Sequence, residues 1–188
     1  MTAFAVAADL GSRLNRTFAE GEETAWINGL LADASEYLRK VIGQQVYPQT
    51  TSEYTAYPSG GRVDLPQWPV VEVVSVKRDG ADIDYLYRPG FIMVTGDDPC
   101  DVKFTWGYAD APNELVRLAC VLVSQTLLPL EAKIGLTAGG LSSVALDDFK
   151  LAWADAGAQS GMVLTEHAEK AVRDQFGQGG VLVMESGW

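Results

Sequence analysis

Thr24–Val46 reads TAWINGLLADASEYLRKVIGQQV, and the spacing of its apolar residues decides what the neighbouring segments can do. Ile27, Leu31, Ala34, Leu38 and Val41 recur at intervals of four and three, which places them on one face of a helix. Trp26, Leu30 and Ile42 widen that stripe, while Asn28, Asp33, Glu36, Arg39 and Lys40 fall on the opposite side. Glu36 precedes Lys40 by one turn in the favourable order, and Gly43 supplies a stop. The segment is therefore an anchor helix on which other elements pack.

Upstream, Ala5 to Arg16 predicts a short helix carrying Val6, Leu10 and Leu14 at four-residue spacing. Thr17 and Glu20 have the spacing of a capping box that would start the anchor helix early, with Glu20, Glu22 and Glu23 near its positive end.

Downstream of Gly43 the chemistry changes. From Thr51 to Tyr108 the chain is rich in β-branched and aromatic residues, with turn signals at 58–61, Asp79-Gly80, Pro89-Gly90 and 96–99. Val71, Val73 and Val74 to Val76 contain a period-two run, Asp79-Gly80 signals a hairpin, and Ile83, Tyr85 and Tyr87 alternate after it. Phe91 to Val94 and Val102 to Trp106 add two more strands.

Pro112 opens a further helix, where its missing N–H costs nothing. Leu115, Leu118, Ala119, Leu122 and Thr126 form a core stripe, yet Val116, Val121, Val123 and Leu127 leave little polar face. Such a helix is either central to the domain or covered by a second subunit. Ile134 to Met162 is glycine-rich but patterned: Val144 and Leu146 alternate, as do Phe149, Leu151 and Trp153, which suits an extended ribbon or loose hairpin. A connection this long within a compact domain is usually functional or disordered. Leu164 to Phe176 predicts a last helix with Thr165 as N-cap and Gly177 as terminator, and VLVMESGW follows as an apolar end that needs a receiver.

The fold expected is α+β but mainly α: a small helical bundle with an inserted antiparallel β-subdomain and an extended loop before the C-terminal helix. It forms one domain over 1–188, with a helical core (5–46, 112–130, 164–177), a β-rich insertion (51–108), an extended loop (134–162) and a tail (178–188).

Composition narrows the function. A chain of 188 residues that is 47% hydrophobic and 21% charged is that of a folded protein. Its 25 acidic against 14 basic residues give a net charge of −11, which argues against a surface built to grip phosphates. Cys100, in a predicted turn, and Cys120, in a predicted buried helix, read as free thiols. The N-terminal MTAFAVAADLGS lacks a basic leader and meets Asp9 early, and no apolar run approaches the roughly 20 residues that span a bilayer, so no membrane association is expected.

Catalytic spelling is sparse. His167 stands alone in the first turn of an amphipathic helix, without a ligand at metal spacing. Ser142 and Ser143 lack the strand, turn and helix of a nucleophile elbow. Asp97, Asp98 and Asp101 cluster near a hairpin tip without the closing Glu of a calcium loop. No phosphate-binding glycine motif occurs, so neither cofactor nor metal is expected and the chain reads as a non-enzyme. Trp68 and Trp106 read as core, Trp153 as core or surface, and Cys120 as a small hydrophobe.

The order of parts resembles a family. Asp9-Leu10 with Arg13-Leu14, then LLADASEYLRKVIGQ, LPQWPVVEVVSV with its Asp79-Gly80 turn, VKFTWGYADAPNEL entering an apolar helix, SVALDDFKLAWA and a short C-terminal helix together look like the head-to-tail connector, or adaptor, proteins of long-tailed bacteriophages and gene-transfer particles. The resemblance runs from Asp9 to about Gly177 and rests on order and spacing.

It implies a structural virion protein of the phage neck: a dodecameric ring beneath the portal vertex, between the portal protein and the stopper or tail-terminator protein. DNA passes through its channel without specific binding, and assembly takes place in host cytoplasm. By the same resemblance the extended segment from Ile134 to Gly161 is expected to reach neighbouring subunits or line the channel, with Val144, Leu146, Phe149, Leu151 and Trp153 as its subunit contacts, and the C-terminal helix and tail to dock on the portal, the tail through Val181, Leu182, Val183, Met184 and Trp188. Two other classes remain: a β-domain binding module gripping a carbohydrate or peptide through aromatics between Tyr54 and Trp106, and a hydrolase using Asp97, Asp98 and Asp101.

Overall fold

The computed structural model describes residues 2–131, 143–146, 149–152 and 162–177, with side chains described outside 128–131 and 143–152. The first helix, α1 (Ala7–Leu14), is shorter than predicted at both ends, because Val6 is extended at its start, and exposed instead of in the stripe, and Asn15 turns left-handed at its end. The anchor helix α2 spans Glu22–Ile42 and ends on Gly43, whose N–H reaches the Arg39 carbonyl at 2.8 Å. The stripe Ile27, Leu31, Ala34, Leu38, Val41 and Ile42 is buried. Trp26 does not join it and stays exposed.

Two local expectations at this end fail. Thr17 and Glu20 do not start the helix; Gly21 does, and Glu23 turns back to accept the Ala19 N–H. Nor are Asn28 and Arg39 simply solvent-facing. Asn28 Oδ1 accepts the Ala7 N–H at 2.8 Å, satisfying an open donor of α1, and the Arg39 guanidinium stacks 4.7 Å from the Phe4 ring centroid while donating to the Thr2 carbonyl. The N-terminal segment is strapped along that side of α2. Periodicity within one helix cannot show this, since the strap comes from elsewhere in the chain.

The β portion follows as β1 (Thr50–Ala56), β2 (Arg62–Asp64), β3 (Val70–Arg78), β4 (Ala81–Asp82), β5 (Tyr85–Arg88), β6 (Phe91–Val94) and β7 (Cys100–Trp106). They form two antiparallel sheets, one ordered β1-β7-β3-β4 and one β2-β6-β5. Alternation on β7 sends Cys100, Val102, Phe104 and Trp106 inward, where they meet Ala56, Val63, Leu65, Val76, Ile92 and Val94. Cys100 thus opens a strand; the predicted turn stops one residue earlier, at Pro99.

Gly61 makes the approach of β2 to β6 possible. Its φ is +75°, the Val94 N–H donates to its carbonyl at 2.8 Å, and a Cβ there would lie 2.5 Å from the Val94 oxygen.

Helix α3 (Asn113–Glu131) follows, then a separate hairpin of β8 (Ser143–Leu146) and β9 (Phe149–Ala152), then α4 (Glu166–Phe176). Thr165 caps α4, its hydroxyl accepting the Ala168 N–H at 3.3 Å. Leu115, Leu118, Ala119, Cys120, Leu122, Val123 and Leu127 of α3 are buried with the α1, α2 and α4 residues of one cluster. Of the two alternatives for this over-apolar helix, the first accounts for most of it: α3 is central and packed by its own domain as far as Leu127, with Val116 and Val121 left half-buried.

The expected fold class is therefore corrected. Among the described residues four helices stand beside nine strands, seven of them in two antiparallel sheets and two in the separate hairpin, a mixed α+β fold and not a mainly helical bundle with a small insertion. The reason lies in the burial: the strands enclose their own apolar cluster, distinct from the helical one, and are not draped on the helices.

Candidate functional site

The surface chemistry of this chain gathers on one strand edge. β3 pairs with β7 along its inner side, but β4 covers its outer side only at Lys77 and Arg78. The register against β7 slips by one residue at Val71 and again at Val74. Each slip leaves an extra residue on β3, and both side chains turn to solvent, 54% and 49% exposed. The predicted period-two run through Val71 and Val73 is broken for this reason. The doubled valines of VVEVV were a signal for it.

Past the β3–β4 turn the chain continues along the same edge. The Ile83 N–H donates to the Val76 carbonyl at 2.9 Å, and the Tyr85 hydroxyl donates to the Val73 carbonyl at 3.0 Å. Ile83 and Tyr85 were expected on one strand; instead the strand breaks at Ile83-Asp84 and resumes as β5 in the other sheet. Edge strand β5 is exposed on both faces, with Leu86 at 52% and Tyr87 at 40%. Val71, Val74, Leu86 and Tyr87 are thus apolar side chains shown to solvent at the edges of two sheets, the kind of surface that associates.

Between the helical and β portions sits Gln44. Its Oε1 accepts the Trp68 N–H at 3.0 Å and its Nε2 donates to the Phe176 carbonyl at 2.9 Å. The Tyr108 and Phe176 rings meet edge to face with centroids 6.4 Å apart beside it. One amide thereby ties the end of α2, the end of α4 and the approach to β3. Nothing in the sequence singled out Gln44, because its partners are distant along the chain.

In the acidic cluster the Asp97 and Asp101 carboxylates are engaged structurally, and Asp98 is held through its backbone. Asp97 Oδ1 accepts the Gly61 N–H at 2.9 Å, Asp101 Oδ1 accepts the Thr55 hydroxyl at 2.7 Å, and the Asp98 carbonyl accepts from Arg78 at 3.1 Å. Among the described residues no group of three His, Cys, Asp or Glu side chains could hold a metal ion. His167 is exposed in the first turn of α4, and Ser143 begins β8.

Both thiols are buried, one in each apolar cluster, and burial pushes them up, Cys120 to about 11, so they stay protonated. A shallow depression of about 500 Å³ beside α1 is lined in part by Arg16, which is paired with Glu23 at 2.5 Å and stacked on Phe18, closing the α1–α2 turn.

The aromatics of the β portion divide. Phe104 and Trp106 are buried, Trp68 is half-buried, and half-buried Tyr54 donates to the Asp64 carbonyl at 2.7 Å, whereas Tyr57, Tyr85 and Tyr87 are exposed. Of the residues assigned to subunit contact, the β8–β9 register sets Val144 opposite Leu151 and Leu146 opposite Phe149. Trp153 lies outside the described residues, as do Ser142 and the portal-docking set Val181, Leu182, Val183, Met184 and Trp188. No helix among the described residues is long and apolar enough to cross a membrane. No protein-family model matches the chain, and no curated protein matches it.

Proposed function

We propose that this chain is a structural, non-enzymatic ring component of a phage neck, an adaptor that joins the portal vertex to the tail and lets DNA pass. The observation that carries the reading is the order of the segments the family resemblance rests on. Asp9-Leu10 lies in α1, Leu30 to Gln44 in and just past α2, Leu65 to Val76 running into β3, Val102 to Leu115 joining β7 to α3, and Ser143 to Ala152 in the β8–β9 hairpin ahead of α4.

Two further features support it. The hairpin pairs with neither sheet among the described residues, and a two-stranded ribbon is marginal by itself, so a neighbouring copy gives it a place to pack. The net charge of −11 suits a channel wall that repels DNA and so lets it slide. The buried stripe of α3 does not contribute, because it is used inside the domain.

The test is reconstitution on purified portal rings. Full-length chain is expected to co-sediment with them and close into a ring of the portal's symmetry; folded chain that stays in the supernatant overturns the reading. Deleting 181–188 is expected to abolish attachment with the melting temperature unchanged, and retained attachment would remove the docking role. Leu151→Ser with Trp153→Ser is expected to weaken ring closure more than thermal stability, the reverse ranking making these residues ordinary core.

A second reading, a carbohydrate- or peptide-binding β-module, draws on exposed Tyr85 and Tyr87. It is supported less well, because Phe104 and Trp106 are buried and the Tyr85 hydroxyl is already engaged by Val73. Titration against glycan and peptide panels decides it: saturable binding lost in Tyr87→Ala favours the module.

A further inference from the structure

We propose that β5 is a self-pairing edge: a second copy of this chain lays its own β5 antiparallel beside it, about a two-fold axis at Leu86. β5 is the last strand of its sheet, and among the described residues no strand pairs with its outer side. Its residues Tyr85, Leu86, Tyr87 and Arg88 are all exposed, and its register with β6 is regular, without the bulge that blunts many edges.

The ladder fixes which groups the edge presents. Val94 gives its N–H to the Gly61 carbonyl on the β2 side, so alternation turns Phe91 and Met93 toward β5, where they face Arg88 and Leu86. The N–H and C=O groups of Tyr85 and Tyr87 therefore point away from the sheet. The Tyr85 hydroxyl is bonded to the Val73 carbonyl, but that is a side-chain contact and leaves the main chain of Tyr85 open.

Few registers satisfy those groups, because an antiparallel partner must set outward residues against outward residues. Tyr85 against the partner's Tyr85 would bring in Ile83, whose N–H is already bonded to the Val76 carbonyl. Tyr87 against the partner's Tyr87 would bring in Pro89, which has no N–H. Tyr85 against the partner's Tyr87 engages every outward group of both strands.

Charge selects the same register and a second copy as the occupant. Exposed Asp84 then stands opposite the partner's exposed Arg88, twice by symmetry, and Leu86 meets the partner's Leu86 in line with Met93. A two-fold contact joins chains in pairs and closes no ring, so the pairing belongs to the free protein. It uses none of the residues assigned to ring contact and does not rest on the neck assignment.

Cysteine cross-linking and sedimentation of the free, full-length protein test this. Across the axis the two Leu86 residues form a non-hydrogen-bonded pair about 4.5 Å apart at Cα, a separation that suits a disulfide. Leu86→Cys is therefore expected to oxidise to a covalent dimer about tenfold faster than Tyr87→Cys, which faces the partner's Tyr85 and lies beyond the roughly 7 Å limit from its own equivalent. Both positions are exposed and the native thiols Cys100 and Cys120 are buried, so the fold and the background reaction are controlled. Equal rates overturn the proposal. Without substitution the sedimenting mass is expected to rise with concentration from 20.3 kDa toward twice that, and a single-chain mass throughout overturns it. Asp84→Arg is expected to weaken the dimer about tenfold, and Arg88→Asp added to it to restore the affinity. A dimer indifferent to both changes also overturns it.

Discussion

Tyr37 on α2 donates its hydroxyl hydrogen to the Glu169 carboxylate on α4, and the same oxygen accepts the Leu164 N–H at 3.2 Å. One phenol therefore seats both the first turn of α4 and Leu164 just ahead of its N-cap. The contact matters because α4 buries only Val172 and Phe176 of its own residues, with Leu164 just ahead of it. Tyr37→Phe keeps the ring and removes both bonds. We expect a loss of about 1–2 kcal/mol by urea denaturation, with amide exchange rising first in α4. An unchanged midpoint would mean that water replaces the hydroxyl without cost.

Alkaline pH probes the same kind of group. Burial pushes the Tyr54 phenol up to about 12, and Tyr37 is also raised, first by burial and then by its bond to Glu169. An unfolded tyrosine ionises near pH 10. Below that both states keep the proton, and the stabilisation is fully present. As pH climbs past about 10 the unfolded chain releases protons that the folded chain still holds, so stability falls toward about 12. A stability curve taken from pH 8 to 12 should bend downward near 10, and less steeply in Tyr54→Phe. A curve of equal slope in that variant would remove Tyr54 from the account.

At Gly61 the backbone leaves no room for a side chain. A Cβ would approach the Val94 oxygen to 2.5 Å at a φ of +75°. Gly61→Ala is expected to cost about 2–3 kcal/mol through the clash and the left-handed strain together. Gly60→Ala, next door at φ +57° but in open space, is expected to cost about 1 kcal/mol, so the difference isolates the contact. Equal melting temperatures for the two variants would mean that β6 yields.

DNA affinity should be nearly absent at physiological salt. A chain of net charge −11 has few counterions to release from DNA, and log affinity against log salt should be flat and close to the detection limit. A steep negative slope in fluorescence anisotropy would contradict a channel wall that lets DNA slide.

The sequence alone determined the local elements. The stripe Ile27 to Val41, the Gly43 stop, the Asp79-Gly80 turn and the Thr165 cap are set by residues within a few positions of one another, so their periodicity and turn chemistry are legible without a fold. Tertiary structure decided the rest. Two separate cores instead of a bundle with an insertion, the strap of Thr2 to Val6 along α2, the break after β4 and the Gln44 tie all depend on partners far away in the chain. Val71 and Val74 show why: either valine suits a buried strand, and only the register against β7 leaves both of them in water.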